Sequence, residues 1–294
     1  MIDSTFTRPR LCAMLTVLLS FGAVIGAPPA PAVAAATPCS IGTPVPGDYD
    51  GDGGPDLVVG YYLSVTDGNR FQVVPSDGGS RYALDTYPRP TNADLNGDRC
   101  SDGVYTRAGT VTLIFGTPQG LDTATVKTFS LPQASLPKGD EILQAQSVVL
   151  SHDGLVQLAV AGWVVADDEA DYRAQFLDVY TLDAAGDPGT PQVIDLAARG
   201  VKTNLALAGS GRSIAIGVGD LTVSGKAGAG GVLMYSASAT DHRAMGYRLR
   251  LTQNSPRVPG TAEANDGFGT AVSLRDGRLA IGVPFENNSG VEGA

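Results

Sequence analysis

The chain has 294 residues, and its 30 Asp and Glu against 20 Lys and Arg give a formal net charge of -10 at pH 7. This acidic balance argues against binding to nucleic acid or to anionic membranes, because both require a basic face, and it is compatible with cation binding. Glycine is abundant, with 38 residues, and only 17% of the residues are charged. The composition is typical of many short strands joined by tight turns, so it favours an all-β fold.

Residues 1–36 have the pattern of a secretory signal peptide. Two arginines precede the apolar run 11–27, and small residues then offer cleavage sites, most simply after Ala36. We therefore expect a secreted protein that does not insert into a membrane after cleavage, with one domain over residues 37–294. The alternative is an uncleaved anchor, which the short run disfavours because a membrane span needs ~20 apolar residues.

The cysteines agree with export. Cys12 lies in the apolar run and would be removed with it, which leaves Cys39 and Cys100. In an exported chain such a pair is best interpreted as a disulfide, and two free thiols are the alternative. A disulfide between them would stabilise the fold by roughly 2–4 kcal/mol.

A repeat organises the rest of the chain. Short apolar runs, often ending in glycine, recur at intervals of 46, 55, 56 and 65 residues. The residues that precede these runs are Asp56, Asp102, Gln157, Ser213 and Arg278. Further strand candidates follow at 71–74, 110–116, 176–182 and 231–237. Repeats of this length with several strands each predict the blades of a β-propeller, and a β-sandwich array without ring closure is the alternative. No stretch predicts an amphipathic helix.

Two acidic segments precede the first two apolar runs. Oxygen-bearing side chains alternate along DYDGDGGPD at Asp48, Asp50, Asp52 and Asp56, with Gly54 able to offer a backbone carbonyl. The second segment, DLNGDRCSD, has Asp94, Asn96, Asp98 and Asp102, with Cys100 in the place of Gly54. Oxygen ligands at alternate positions suit Ca²⁺, whereas Mg²⁺ sheds its water less readily. The sequence therefore predicts two structural calcium sites.

Spacing separates these loops from other calcium motifs. An EF-hand or dockerin loop needs a carboxylate at its twelfth position, where this chain has Val59 and Tyr105. A solvated acidic turn is the remaining alternative, since Asp and Gly favour turns. Two copies in register, each directly before a strand, favour metal binding over that alternative.

The loop-plus-strand unit DYDGDGGPDLVVG resembles the FG-GAP repeat of the integrin alpha-subunit propeller and of many exported bacterial proteins. Residues 265–288 resemble the calcium-free form, with Phe268 and Gly269 as the Phe-Gly of the name. The resemblance implies a propeller of seven four-stranded antiparallel blades, with Ca²⁺ in loops between the first two strands of some blades. It assigns the ligands to the side chains of the two acidic segments.

The chain also departs from the family pattern. In the third unit, His152 and Gln157 stand where ligands are expected, so we predict no metal there, and the fourth unit has lost the loop. Arg99 replaces the usual glycine of the second loop. About five units are visible and the last is incomplete. We therefore expect either a C-terminally incomplete propeller or closure by another chain.

Little in the sequence indicates catalysis. The histidines are His152 and His242, and the Ser-His-Asp run at 151–153 is too local to form a triad. Trp163 follows an apolar strand and is interpreted as a core residue. We name no catalytic residue and expect a non-enzymatic adhesion or ligand-binding module whose partner is an extracellular protein or glycan. The alternative is a secreted hydrolase or lyase in which the propeller is accessory or carries the site.

Overall fold

A computed structural model describes most of the domain. The described residues are 48–49, 54–64, 68–76, 78, 82–84, 91–107, 109–118, 120–132, 141–165, 172–202 and 205–286. All of them belong to the unit that spans residues 36–294. The signal-peptide prediction for residues 1–36 lies outside the described residues, as does Cys39.

The described residues are all-β, in line with the sequence prediction. Five antiparallel sheets follow one another along the chain, and strands that are consecutive in sequence are hydrogen-bonded neighbours. The first sheet contains β1 (Leu57–Ser64), β2 (Gly68–Val74) and β3 (Tyr82–Leu84). The second contains β4 (Thr91–Ala93), β5 (Asp102–Arg107), β6 (Thr110–Thr117) and β7 (Gly120–Ser130).

The third sheet contains β8 (Glu141–His152), β9 (Leu155–Val165), β10 (Tyr172–Leu182) and β11 (Gln192–Asp195). The fourth contains β12 (Leu205–Ser210), β13 (Ser213–Val218), β14 (Gly231–Ala237) and β15 (Met245–Leu251). The fifth pairs β16 (Ala271–Arg275) with β17 (Arg278–Gly282). A 3-10 helix, Ala197–Arg199, follows β11.

The predicted strands are confirmed. The candidates at 71–74, 110–116, 176–182 and 231–237 lie in β2, β6, β10 and β14. The apolar runs that mark the repeat lie in β1, β5, β9, β13 and β17. In the three complete four-stranded sheets the marker run is therefore the second strand and the candidate that follows it is the third.

Alternation along β9 shows how the sheets stack. Side chains of a strand point to opposite faces in turn. Leu158 and Val160 pack into a core with residues of the second sheet, such as Val104. Ala159 and Trp163 pack into a different core with residues of the fourth sheet. The third sheet is thus a middle layer with both faces covered, which explains why β9 is an almost continuous apolar run.

The other neighbouring sheets share cores in the same way. Val73 of the first sheet packs with Ile114 and Leu121 of the second. Val232 of the fourth sheet packs with Phe268 and with side chains of the fifth, such as Val272. Trp163 is 7% exposed, which confirms its interpretation as a core residue. Each core is therefore formed by two sheets that are consecutive along the chain.

One face of the first sheet is less well covered. Leu57 and Val59 of β1 are 62% and 40% exposed, whereas Val58 between them packs against the shared core. The corresponding second strands of the third and fourth sheets are buried on both faces.

Gly269 provides a test of the close contact between the fourth and fifth sheets. Its φ is 91°, and a Cβ there would lie 2.5 Å from the carbonyl oxygen of Gly231. We predict that Gly269→Ala lowers the free energy of unfolding by about 3 kcal/mol, because left-handed strain and a backbone clash add together. Urea unfolding measures the loss.

Gly277→Ala is the matched control for this prediction. Gly277 also has a left-handed φ, 72°, but a Cβ added there would have open space, with no described atom beyond its chain neighbours within 4 Å. This variant should lose only the cost of the strain, about 1 kcal/mol. Equal losses in the two variants would show that the close approach of the sheets at Gly269 has no energetic weight.

Candidate functional site

The second acidic segment, residues 94–102, connects β4 to β5, the first two strands of the second sheet. The Asp94 carboxylate lies at its start and accepts hydrogen bonds from the backbone N–H groups of Gly97, at 2.6 Å, and Arg99, at 3.1 Å. Both of these residues have a left-handed backbone, with φ of 81° and 71°. Arg99 therefore occupies a conformation that favours glycine, so its presence carries a strain that the usual glycine would not.

Side chains at alternate positions of this segment accept hydrogen bonds from backbone N–H groups two residues further on. Asn96 Oδ1 accepts a hydrogen bond from the N–H of Asp98 at 3.0 Å, and Asp98 Oδ1 accepts one from the N–H of Cys100 at 2.8 Å. Asn96 Nδ2 donates to Asp98 Oδ2 at 3.0 Å. These short-range bonds are those of successive Asx turns, and they hold the side-chain oxygens on a tightly curled loop.

Asp102 is the last residue of the loop and holds it against the sheet. It is fully buried. Its two oxygens accept hydrogen bonds from two backbone N–H groups, one in the loop and one in β6. Oδ2 accepts from Leu95 at 2.6 Å, at the start of the loop, and Oδ1 accepts from Gly116 at 2.7 Å, near the end of β6. The side chain thus ties the acidic loop to the third strand of its sheet. We call this arrangement the aspartate latch.

The first acidic segment contains the same latch. Asp56 Oδ2 accepts a hydrogen bond from the N–H of Tyr49 at 2.7 Å, and Oδ1 accepts one from the N–H of Ser76 at 3.0 Å. Tyr49 and Leu95 are both the second residue of their loops, and both side chains are buried. Two successive units therefore use the ninth residue of the loop in the same way.

Other predicted ligands of the first segment are only partly described. Asp48 is buried and Gly54 is partly buried. Asp50 and Asp52 lie outside the described residues, so their part in a metal site stays a prediction.

The carboxylates of the second loop interact electrostatically. Burial raises the pKa of Asp102 to about 7 against the lowering effect of its two backbone hydrogen bonds, and the charges of Asp98 and Asp94 raise it further. Burial also raises the pKa of Asp94, and the Asp98 charge adds to the rise. Holding these like charges together on a partly buried loop is unfavourable unless a positive charge offsets them.

Whether a metal ion fits the second loop depends on the ligand atoms that the loop offers. In the part of the chain that the structure describes, no three His, Cys, Asp or Glu side chains are arranged as a ready metal-binding group. The second loop offers an amide and carboxylates, and each carboxylate oxygen that accepts one hydrogen bond retains a further lone pair. The oxygen chemistry of the loop therefore fits a hard cation such as Ca²⁺.

Gln157 stands at the latch position of the third sheet. It is fully buried, and its Oε1 lies 2.9 Å from His152 Nε2. Its amide nitrogen donates to the carbonyl oxygen of Arg243 at 2.9 Å and to Thr181 Oγ1 at 3.3 Å. In the first two units the latch ties the loop to a residue in or just after a later strand of the same sheet, whereas the third sheet uses the same position to reach the connection between β14 and β15 as well.

A polar cluster beside Gln157 was not predicted from the sequence. Asp153 Oδ2 lies 3.0 Å from His152 Nδ1, 2.9 Å from His242 Nδ1 and 3.2 Å from Arg212 Nε. The hydrogen bonds to the two histidines lower the pKa of Asp153. The cluster joins hairpin turns of the third and fourth sheets. His152 and Asp153 thus act in a link between sheets, and the sequence spacing of the two histidines gave no signal of it.

Cys100 forms a disulfide bond. Its predicted partner, Cys39, lies outside the described residues, so the pairing itself stays a prediction. The Cys100 side chain is buried beside the second acidic loop.

Comparison with known proteins adds no assignment, because the chain matches no protein-family model and no curated protein. Among the described residues, no helix has both the length and the apolar character needed to cross a membrane. Structure and site together define an all-β chain of consecutive antiparallel sheets, three of them four-stranded, with an aspartate latch in each of the first two units.

The latch generates a prediction about stability. Asp102→Ala leaves the buried N–H groups of Leu95 and Gly116 without their acceptor, and each such loss costs about 1–3 kcal/mol. We expect the free energy of unfolding in urea to fall by about 2–4 kcal/mol. Asp122→Ala is the control, because Asp122 accepts one exposed hydrogen bond, from the N–H of Ala124. If both variants lost the same amount, Asp102 would not be holding the unit together.

Proposed function

We propose that this chain is an exported, calcium-binding β-propeller module of the FG-GAP type, and that it recognises an extracellular protein or glycan without catalysing a reaction. The observation that carries the proposal is the aspartate latch. It recurs at the ninth position of two acidic loops, each of which directly precedes the marker strand of its unit. A solvated surface turn would not require, twice at that position, a carboxylate that accepts two backbone hydrogen bonds from residues distant in sequence.

The sheet arrangement supports a propeller. Propeller blades are four-stranded antiparallel sheets that follow one another along the chain, and each blade packs against the next. The second, third and fourth sheets have this form, and each shares a core with its neighbours. In the proposed ring, a further blade would cover the exposed face of β1 at Leu57 and Val59.

The Phe-Gly pair of the proposed FG-GAP repeat lies at the contact between the fourth and fifth sheets. Phe268 is 3% exposed and fills the core between the fourth and fifth sheets. The N–H of Gly269 donates to the carbonyl oxygen of Gly282 at 3.0 Å. Gly282 is the first residue of the Gly-Val-Pro segment that corresponds to the second half of the repeat name. The motif thus brings its two halves into contact.

Calcium would be held in the second loop by oxygens of Asp94, Asn96, Asp98 and Asp102, with the backbone carbonyl of Cys100 as a further ligand. Its role would be structural, because it would neutralise carboxylates whose charges add to the raised pKa of Asp94 and of Asp102. The first loop would use Asp48, Asp50, Asp52 and Asp56 with the carbonyl of Gly54. We propose one structural ion in each loop.

Export is supported by two features of the chain. The first 36 residues have the pattern of a signal peptide. Cys100 forms a disulfide, and disulfides persist in oxidising compartments outside the cytosol.

Calcium titration by calorimetry tests the proposal. We expect the wild-type protein to bind Ca²⁺ with a Kd on the order of 10⁻⁴–10⁻³ M, the range of extracellular modules. The double variant Asp50→Ala plus Asn96→Ala removes one side-chain ligand from each loop and should weaken binding at least about tenfold at both sites, the equivalent of about 1.4 kcal/mol each.

The control for this titration is Asp122→Ala plus Asp276→Ala, which removes two acidic side chains outside the loops. It should bind calcium as the wild type does. The calcium assignment is wrong if the loop variant binds as tightly as the wild type, or if the control weakens binding equally.

A further inference from the structure

The polar cluster beside Gln157 links a turn of the third sheet to turns of the fourth. Asp153 and Gly154 form the two-residue turn between β8 and β9, and His152 pairs with Leu155 across it. Both turn residues have a left-handed backbone, with φ of 50° and 74°, as a type I′ hairpin turn requires. This tight turn places the Asp153 carboxylate directly beside the His152 ring, with Oδ2 3.0 Å from Nδ1.

The ring of His152 is buried, and both of its nitrogens lie within hydrogen-bond distance of an oxygen. The side chain is only 4% exposed, so water does not replace a missing partner. Nδ1 faces Asp153 Oδ2, and Nε2 lies 2.9 Å from Gln157 Oε1. A neutral imidazole has one N–H donor and one acceptor, whereas the imidazolium form has two donors. A neutral ring could therefore satisfy only one of these two contacts if both oxygens are acceptors.

Other contacts fix both oxygens as acceptors. The hydrogen bonds to His152 and His242 lower the pKa of Asp153, so its carboxylate is ionised near neutral pH and can only accept. The Gln157 amide nitrogen lies 2.9 Å from the carbonyl oxygen of Arg243, which also can only accept. Exchanging the amide oxygen and nitrogen would put two acceptors in contact there, so the amide oxygen faces His152. The ring thus has an acceptor at each nitrogen.

Charged and titratable groups of two fourth-sheet turns complete the cluster. Arg212, in the turn between β12 and β13, places Nε 3.2 Å from Asp153 Oδ2. His242, in the connection between β14 and β15, places Nδ1 2.9 Å from the same oxygen. Asp241 and Arg243 flank His242, and the Asp241 carboxylate accepts the N–H of Arg243 at 3.1 Å. Asp153 is therefore shared between the buried ring and both turns of the neighbouring sheet.

From this geometry we propose that His152 is held as the doubly protonated imidazolium, and that its proton controls the link between the third and fourth sheets. One N–H donates to Asp153, which contacts side chains of two fourth-sheet turns. The other donates to Gln157, which in turn donates to the Arg243 carbonyl. Loss of the proton leaves two acceptors facing each other on one side of the ring, whichever tautomer forms. The link is therefore stronger in mild acid than in alkali.

The direction of the pH dependence follows from the protonation state that the fold favours in each group. A histidine whose proton is required in the folded state adds stability that is present below about pH 6.5 and is lost at higher pH. Asp153 acts in the opposite direction, because its lowered pKa adds stability that is lost as the pH falls below about 4. The raised pKa of Asp102 also makes stability fall as the pH rises towards about 7. The contribution of His152 is therefore the difference between the wild type and a His152 variant.

NMR of the histidine ring nitrogens in the full chain tests the protonation state directly. The chain contains two histidines, so the spectrum holds two rings, and His152→Gln identifies which signals belong to which ring. At about pH 7.5, above the ordinary range of a free histidine, we expect both nitrogens of the His152 ring to carry protons. A neutral His152 ring at that pH, with one nitrogen unprotonated, would overturn the proposal.

Urea unfolding at about pH 6 and about pH 8.5, on either side of the histidine range, tests the effect on the link. The wild-type midpoint should be lower at the higher pH. In His152→Gln, whose side chain does not titrate, the fall should be at most about half as large.

His242→Gln is the matched control, because it removes the other histidine of the cluster, which is 41% exposed. This variant should keep most of the wild-type fall. An equal fall in the wild type and in His152→Gln would overturn the proposal, and so would an equal reduction in the two histidine variants. If His152→Gln does not fold, the ring-nitrogen spectrum of the wild type, assigned through His242→Gln, decides the question.

Discussion

Two backbone N–H groups that converge on one carboxylate give the acidic units their shape. Asp102 accepts one from the start of its loop and one from the end of β6, and Asp56 does the same in the preceding unit. A buried carboxylate is unfavourable in isolation, and the raised pKa of Asp102 shows this cost. The latch therefore connects the charged loop, which is the proposed metal site, to the paired strands of its sheet.

The sheets are held together by a simpler constraint. Because side chains alternate along a strand, a second strand with neighbours on both sides is expected to be apolar at most positions. β9 and β13 satisfy this condition, and each supplies alternate residues to different cores. Where the latch is absent, polar side chains link the sheets instead. Gln157 reaches the backbone at Arg243, and Asp153 joins both histidines.

Much of this fold could be predicted from the sequence because its signals are local. Recurring apolar runs predicted the marker strands, and the loop spacing singled out Asp56 and Asp102. The sequence did not show that these two carboxylates bind backbone N–H groups of distant strands, because that depends on pairing across the sheet. The contact between His152 and His242 through Asp153 was equally hidden. The β-bulge in β15, in which Arg248 is the extra residue, was likewise not marked by any sequence pattern.

The central question is whether the acidic loops bind calcium as part of the fold. Thermal unfolding of the protein in excess calcium and then in chelator measures this most directly. With calcium at one hundred times its Kd, a site present only in the folded state adds about 2.7 kcal/mol, so the Tm should rise clearly over that in chelator. A cooperative transition with the same Tm in both conditions would contradict the account, because the loops would then be folded without any contribution from calcium.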